Sequence, residues 1–394
     1  PTLEHKDYGF NQDLEGFAVD LYKQLNIGST THDLVYGFES EEASYSRPKD
    51  RYETNLTTGE TNRVFFGPEI FPNKAFPDSE VIRDAFYLSD RISLSESTTF
   101  VFGLRHDNYE QKAIEDSLSA AGNPANHPLL PKEDSETSLK LGVIQDINDT
   151  VSIFAQFAEG YRNPDFTDAY NTYTNYAFGY TIIPNPDLKA EYSTGYEFGL
   201  RGTKEDIKWS LVLHQNNFKD FIDSNLYSSP PVNGVLQVRY ENLESVRTKG
   251  VEFEIRRNIS ETLSSFAGFA LNEADNLTND SITPDQLKYG LSHISKSGNL
   301  STNYVMTYTA DSPRLPPIVG RSGSTPAVFA PRSITHDVFV DFDLDENFDL
   351  RLGIRNITDE KYWDWISVAG LAEGTAQQYL NPGTNFSIDL RYTF

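Results

Sequence analysis

The sequence predicts an all-β protein built as an antiparallel transmembrane β-barrel, and three observations predict it. The apolar positions recur with period two over about fifteen segments. The connections between these segments are alternately short and long. Apolar residues make up only 38% of the 394 residues and mean hydropathy is −0.50, yet Tyr and Phe number 22 and 26. No run approaches the roughly 20 apolar residues of a membrane helix, so any crossing of a bilayer must be made by strands.

Taken in order, Leu14–Asn26 and Thr31–Glu41 are joined by the short IGST, and a long polar segment from about Glu42 to Ser79 follows. Glu80–Leu94 and Thr98–Tyr109 meet across SES, Ser135–Ile147 and Thr150–Tyr161 across NDT, and Glu191–Thr203 and Asp206–Ile222 across KED. Long loops separate these pairs, one of them carrying GNPANHPLLP. A long strand from Leu236 to Arg257 turns at NISE into Thr262–Ala274. Lys288–Ser295 and Leu300–Thr309 flank KSGN, and Ser333–Leu344 and Phe348–Tyr362 flank DEN.

The last segment is Phe386–Phe394, with Phe386, Ile388, Leu390, Tyr392 and Phe394 on one face. Val338, Val340, Phe342 and Leu344 likewise alternate with Asp337, Phe339, Asp341, Asp343 and Asp345. Such strands put aliphatics toward lipid and acids toward a watery lumen. Sorting turns to one end and loops to the other suits an outer-membrane barrel, whereas a soluble sandwich has no reason for it. Trp363 and Trp365, just past a strand end, suit either an interfacial anchor or a packed loop.

Composition and motifs exclude much chemistry. A net charge of −25 argues against a nucleic-acid surface. The absence of Cys removes disulfides, thiol nucleophiles and thiolate metal sites. No zinc-protease helix, nucleophile elbow or phosphate loop is found, so no catalytic or metal-ligating residue is assigned. Asp341, Asp343, Asp345 and Glu346 resemble the opening of a calcium loop but lack its central Gly and follow a strand period. Of seven His, His5 and His127 fall in expected outer loops, where either could touch a ligand.

The informative loop is YRNPDFTDAYNTYTNYAFGYTIIPNPDLKAE. Tyr170, Tyr173, Tyr176, Phe178 and Tyr180 crowd between the turns Asn163–Pro164 and Asn185–Pro186. With His127 they are the candidate cargo contacts, since Tyr offers contact area at small entropic cost.

Here the chain resembles the TonB-dependent outer-membrane receptors, in particular the haem, haemoglobin, transferrin and lactoferrin receptor group. FAEGYRNPDF resembles that family's Phe-Arg-Ala-Pro box, with Tyr161, Arg162, Asn163 and Pro164 in its places. IPNPDLKAE resembles its Asn-Pro-Asn/Asp-Leu box through Asn185, Pro186, Asp187 and Leu188. YEFGLRG, FKDFID, NLESVRTKGVEFEI, GIRNITDEKYWDW and PGTNFSIDLRYTF follow in family order, so the likeness covers roughly residues 80–394.

The resemblance implies a barrel of about 22 strands, of which residues 1–394 are the C-terminal part, with the plug domain and first strands outside the chain. It implies residence among the lipids of a Gram-negative outer membrane. It also implies import of haem, a haem or iron protein, or another ferric complex, energised by TonB and its inner-membrane complex. Haem is then cargo and not a resident cofactor, and no enzyme activity is expected. Phe394 would be the aromatic terminus read by the barrel-assembly machinery.

Haem receptors place a ligand His between the two boxes, and residues 165–184 contain none. That departure keeps a receptor for a siderophore, oligosaccharide or cobalamin as the alternative. An outer-membrane hydrolase and a soluble β-structural protein are more remote.

Overall fold

The computed structural model describes residues 1–64, 71–123, 125–175, 179–226, 235–275, 282–315, 318–320, 323–345 and 347–393. The elements in chain order begin with β1 (Thr2–Tyr8), β2 (Asn11–Ile27), β3 (Thr30–Ser46), β4 (Pro48–Asn55), β5 (Thr61–Arg63) and β6 (Asn73–Lys74). Next come β7 (Asp78–Ser93), β8 (Thr98–Ile114), α1 (Ser117–Gly122), β9 (Lys132–Asn148), β10 (Val151–Arg162) and α2 (Phe166–Tyr170). β11 (Thr174–Asn175), β12 (Tyr180–Ile182), β13 (Glu191–Lys204), β14 (Ile207–Leu226) and β15 (Leu236–Asn258) follow. The chain ends with β16 (Leu263–Asp275), β17 (Gln286–Ile294), β18 (Leu300–Thr309), β19 (Ile318–Gly320), β20 (Gly323–Thr325), β21 (Ser333–Asp345), β22 (Phe348–Arg355), α3 (Trp365–Val368), a 3-10 turn (Glu373–Tyr379) and β23 (Asn385–Tyr392).

The wall is one continuous antiparallel sheet: β2, β3, β7, β8, β9, β10, β13, β14, β15, β16, β17, β18, β21, β22 and β23, each hydrogen-bonded to the next. Among the described residues no ladder joins β2 to β23, so both are edges of the wall. Hairpin turns such as Gly28–Ser29 and Glu205–Asp206 close one end; Gly28 (φ 62°) and Glu205 (φ 47°) take the left-handed conformation that tight hairpins need. Every long connection lies at the other end, as the alternation predicts.

Register explains the alternation. Across β8 to β16 one face carries Leu104 opposite Leu139, Phe157 opposite Tyr196, Phe198 opposite Leu213, and Val251 opposite Leu271. At the far edge the same face carries Leu352 opposite Val340 and Ile388. On the other face Arg351 lies between Asp341 and Asp389, and Glu197 lies between Gln156 and His214. A slip of one residue would turn Asp341 and Glu197 toward the apolar side, which sets the register strongly. Phe86, Phe198, Leu213 and Leu271 are 56%, 45%, 43% and 44% exposed. In water that would be a cost, but for an outward band it is the surface that lipid solvates.

Most strand limits agree with the periodicity to within a few residues; the differences are at β22, in the segment from Glu42 to Ser79, and at β8, which runs past the expected Tyr109 to Ile114. The expected strand Phe348–Tyr362 ends at Arg355, because Asn356 turns left-handed (φ 50°) and its amide bonds to the backbone of Glu360 and Pro382. The polar segment from Glu42 to Ser79 is not all loop: β3 runs on to Ser46, and β4 pairs with β1 and β5 as a ribbon beyond the wall. The last strand covers Asn385–Tyr392, its apolar face open at Phe386 (74%) and Ile388 (75%); Phe394 lies outside the described residues.

Trp365 is 3% exposed and packs with Val328, Ala330, Val368 and Ala376, and Trp363 donates its indole N–H to the Ala376 carbonyl at 2.8 Å. These tryptophans therefore build a loop core.

Candidate functional site

The two motifs that bound the aromatic loop form one clamp at the long-loop end of the wall. β10 stops at Arg162 because Pro164 has no N–H to continue the ladder. Asp165 then caps α2, accepting from the N–H groups of Thr167 and Asp168 at 2.8 Å each. The Arg162 guanidinium donates to Asp168 Oδ2 at 3.0 Å and to Glu191 Oε2 at 3.3 Å. Glu191, opposite Arg162 in the ladder, also accepts the buried Ile222 N–H at 2.9 Å. One arginine thus ties β10, the following loop, β13 and β14 together.

The second motif is held by its carbonyls. Asn185 accepts from the Asp187 N–H at 3.1 Å and donates to the Tyr240 carbonyl at 2.8 Å, which shapes the turn and moors it to β15. Lys132 Nζ lies 2.5 Å from the Pro186 carbonyl and 3.0 Å from that of Leu188. Leu188 is 3% exposed, and Asn242 exchanges hydrogen bonds with the Lys189 backbone. Asp187 is exposed, while Pro164 and Asn185 are buried. The motif residues do mechanical work here.

Between the motifs the loop packs on two neighbours, residues 71–77 and 116–130. The Phe166 ring stacks on Tyr45 at 4.4 Å and meets the edge of Phe76 at 5.0 Å. Thr172 donates through both its N–H and its hydroxyl to the Ala75 carbonyl. Lys74, whose side chain is 6% exposed, reaches Asp78 and Asp116 at 2.8 and 2.7 Å. Gly122 passes so close to Lys74 that a Cβ would sit 1.8 Å from its carbonyl oxygen, so only glycine fits.

These contacts sort the candidate cargo residues. Tyr170 is a correction: it is 1% exposed, its hydroxyl lies 3.0 Å from the Leu130 carbonyl, and it belongs to the core of the loop layer, not to a surface that a cargo touches. Burial pushes its phenol up to about 12. Tyr173 is half-buried under the Lys49 ammonium, 4.5 Å from its ring centre, and Tyr180 meets it edge-on at 6.3 Å. β12, which carries Tyr180, adds in parallel to Leu236–Val238 of β15. Tyr176 and Phe178 lie outside the described residues. His127 is half-buried and its backbone is bracketed by the Asn123 amide; burial holds its imidazole below the ordinary value.

The charges of the layer are tuned in opposite directions. Burial, then the neighbouring Asp165 charge, raise the Asp168 carboxyl above its usual range against the pull of Arg162. Asp116 lies below that range: partial burial works against it, but the Lys74 ammonium and the Ser119 N–H prevail. Asp341 is occupied by Arg351, Ser301 (3.1 Å) and Asn303 (3.2 Å). Among the described residues no group of three or more His, Asp or Glu is placed to hold a metal ion.

A wall with hairpins at one end, a packed loop layer at the other and a lipid-facing apolar band defines an outer-membrane barrel. Residues 3–357 match the model of the TonB-dependent receptor-like β-barrel, and the chain belongs to that family of Gram-negative outer-membrane proteins. It is 23% identical to a hemoglobin and hemoglobin-haptoglobin-binding protein of Haemophilus ducreyi over 99% of its own length and 50% of the relative's. It is 20% identical to the hemoglobin-haptoglobin utilization protein B of Neisseria meningitidis, over 98% of this chain and 53% of that one. The chain thus spans about half the length of these relatives. Among solved structures, the copper transporter OprC superposes with a TM-score of 0.73 at 16% identity, covering 98% of this chain and 57% of that one. The ferripyoverdine receptor of Pseudomonas aeruginosa gives 0.71 at 15%, covering 99% and 49%.

Proposed function

We propose that this chain is the wall and loop layer of a receptor that captures haem or a haem protein at its long-loop end and passes it inward with energy delivered through TonB. The observation that carries the reading is the clamp: Arg162, Asp168 and Glu191 join both family motifs, so an aromatic loop is presented on a fixed frame. The names of the relatives, which bind haemoglobin, support the cargo. The plug and the TonB contact are assigned to the part of the relatives' length that this chain does not span. Transport of this kind needs different affinities in the loaded and released states and no covalent chemistry from the barrel. Haem or a ferric complex is held in passing, not as a resident cofactor.

The absence of His from residues 165–184 favours a second reading, a receptor for a siderophore or another scarce nutrient. Titrating the intact receptor with haemin separates the two, because axial ligation shifts the Soret band. A shift, together with growth on haemoglobin as the iron source that is lost on deletion, is the expected result. Neither haemin nor haemoglobin binding, with binding of a ferric siderophore, would overturn the haem reading.

A further inference from the structure

Resting on the haem reading, the question is which side chain would meet the iron, since the loop between the motifs has no histidine at 165–184. The ribbon offers one. β1 and β4 carry β2 and β3 past the wall at the long-loop end, paired from Thr2 with Asn55 to Tyr8 with Lys49, and β5 lies along β4. Directly across this ribbon run His5, Tyr52 and Arg63. The His5 and Tyr52 rings are 6.5 Å apart at 42°, and the Arg63 guanidinium carbon is 5.5 Å from the centre of the Tyr52 ring.

On the same face Asp50 accepts from the Tyr52 hydroxyl at 2.6 Å and from Arg63 Nη2 at 3.0 Å. The phenol and the guanidinium are therefore held in place while the imidazole stands open. β1 is exposed along its whole length, and the Arg63 side chain is 47% exposed.

We propose that the His5–Tyr52–Arg63 row is the haem contact of this receptor. The imidazole lone pair of His5 displaces the axial water of ferric haem, with no electron transferred. The Tyr52 ring offers its face to the macrocycle, and Arg63 pairs with a propionate. The row spans two strand spacings, about 10 Å, comparable with the reach from a porphyrin's metal to its propionates.

The loop layer offers no equal. Lys74 is committed to two carboxylates, Lys132 to two carbonyls and Arg162 to two carboxylates through both of its terminal nitrogens, whereas Arg63 bonds one carboxylate, that of Asp50, through Nη2. Tyr170 is buried and His127 half-buried. In a chain of net charge −25, an exposed cation beside an exposed imidazole and an aromatic face is what an anionic metalloporphyrin needs.

The test is a haemin titration of the intact receptor in detergent, read in the Soret region, with far-UV circular dichroism confirming that each variant keeps its wall. The unaltered protein and His127→Ala should shift the band alike. His5→Ala should lose the shift and bind at least about tenfold more weakly. His5→Tyr should restore a band at a different position, the signature of a phenolate ligand. Arg63→Gln should keep the band position and weaken binding by about three- to tenfold. A shift that survives His5→Ala at unchanged affinity overturns this inference and leaves the haem reading standing. No shift with the unaltered protein overturns this inference, and the haem reading falls with it when haemoglobin also fails to bind and a ferric siderophore binds.

Discussion

The long-loop end holds two packed loop cores, and they are built on opposite principles. The first, around Phe76, Ala169 and Tyr170, is laced with charge: Lys74 with Asp78 and Asp116, and Arg162 with Asp168 and Glu191. Around the second, formed by Val328, Ala330, Trp365, Val368 and Ala376, the described residues of 312–333 and 363–380 include no buried charged side chain. Apolar packing fills space and tolerates small shifts, while a buried charge forces each partner to a fixed place or imposes a desolvation cost. The first core is therefore the one suited to hold a recognition loop in register, and the second to close the far side of the loop layer.

The largest effect should come from the apolar core, where Trp365 contributes by packing. Trp365→Ala removes a buried indole and should destabilise the 363–380 segment by about 3–5 kcal/mol, seen as rapid cleavage there in limited proteolysis, with residues 163–175 protected as before. Equal loosening of both segments would mean that the two cores are one unit. Next, Arg162→Met should cost about 2–3 kcal/mol, because it strands the buried carboxylates of Asp168 and Glu191, with the arginine's own half-exposure reducing the full cost of a buried pair. Here the 163–191 loop should exchange its amides faster while 363–380 does not change. Tyr170→Phe tests the first core more gently, at about 1 kcal/mol for the lost hydroxyl contact with the Leu130 carbonyl.

What could be read from the sequence follows the same division. The wall was legible because lipid and water impose a period of two on every strand, so even β21, with Asp337, Asp341 and Asp343 against Val338, Val340 and Phe342, declares its faces. The ribbon was not, because β1 and β4 are polar on both sides and no solvent contrast marks them. Tyr170 misled for a different reason. A tyrosine in a polar loop suits a recognition surface, and nothing local shows that Ala75 and Leu130, from two other long loops, and Gln111, from β8, meet around it. The end of β22 was misjudged because the ladder stops at a left-handed Asn356, with no proline or glycine in 355–362 to mark the stop.

The smallest effect is also the sharpest discriminator, because it depends on proton linkage alone. The Asp168 carboxyl is raised in the folded loop, so folding favours its protonated form. That contribution is fully present below the ordinary carboxylate value and is lost as pH rises through the raised value, so mild acid should tighten the 165–173 segment. Asp116 is depressed, so its contribution is present above the ordinary value and is lost only as pH falls through the lowered one, loosening the 116–122 segment in stronger acid. The two ends of one loop layer should thus respond to acid with opposite sign, while the 363–376 segment, with an uncharged core, stays flat. Hydrogen exchange measured from neutral pH to about pH 3, corrected for the intrinsic rate, reads all three segments at once. Asp168→Asn should abolish the tightening at 165–173 and leave the Asp116 response intact; a tightening that persists in that variant would assign the proton to another group.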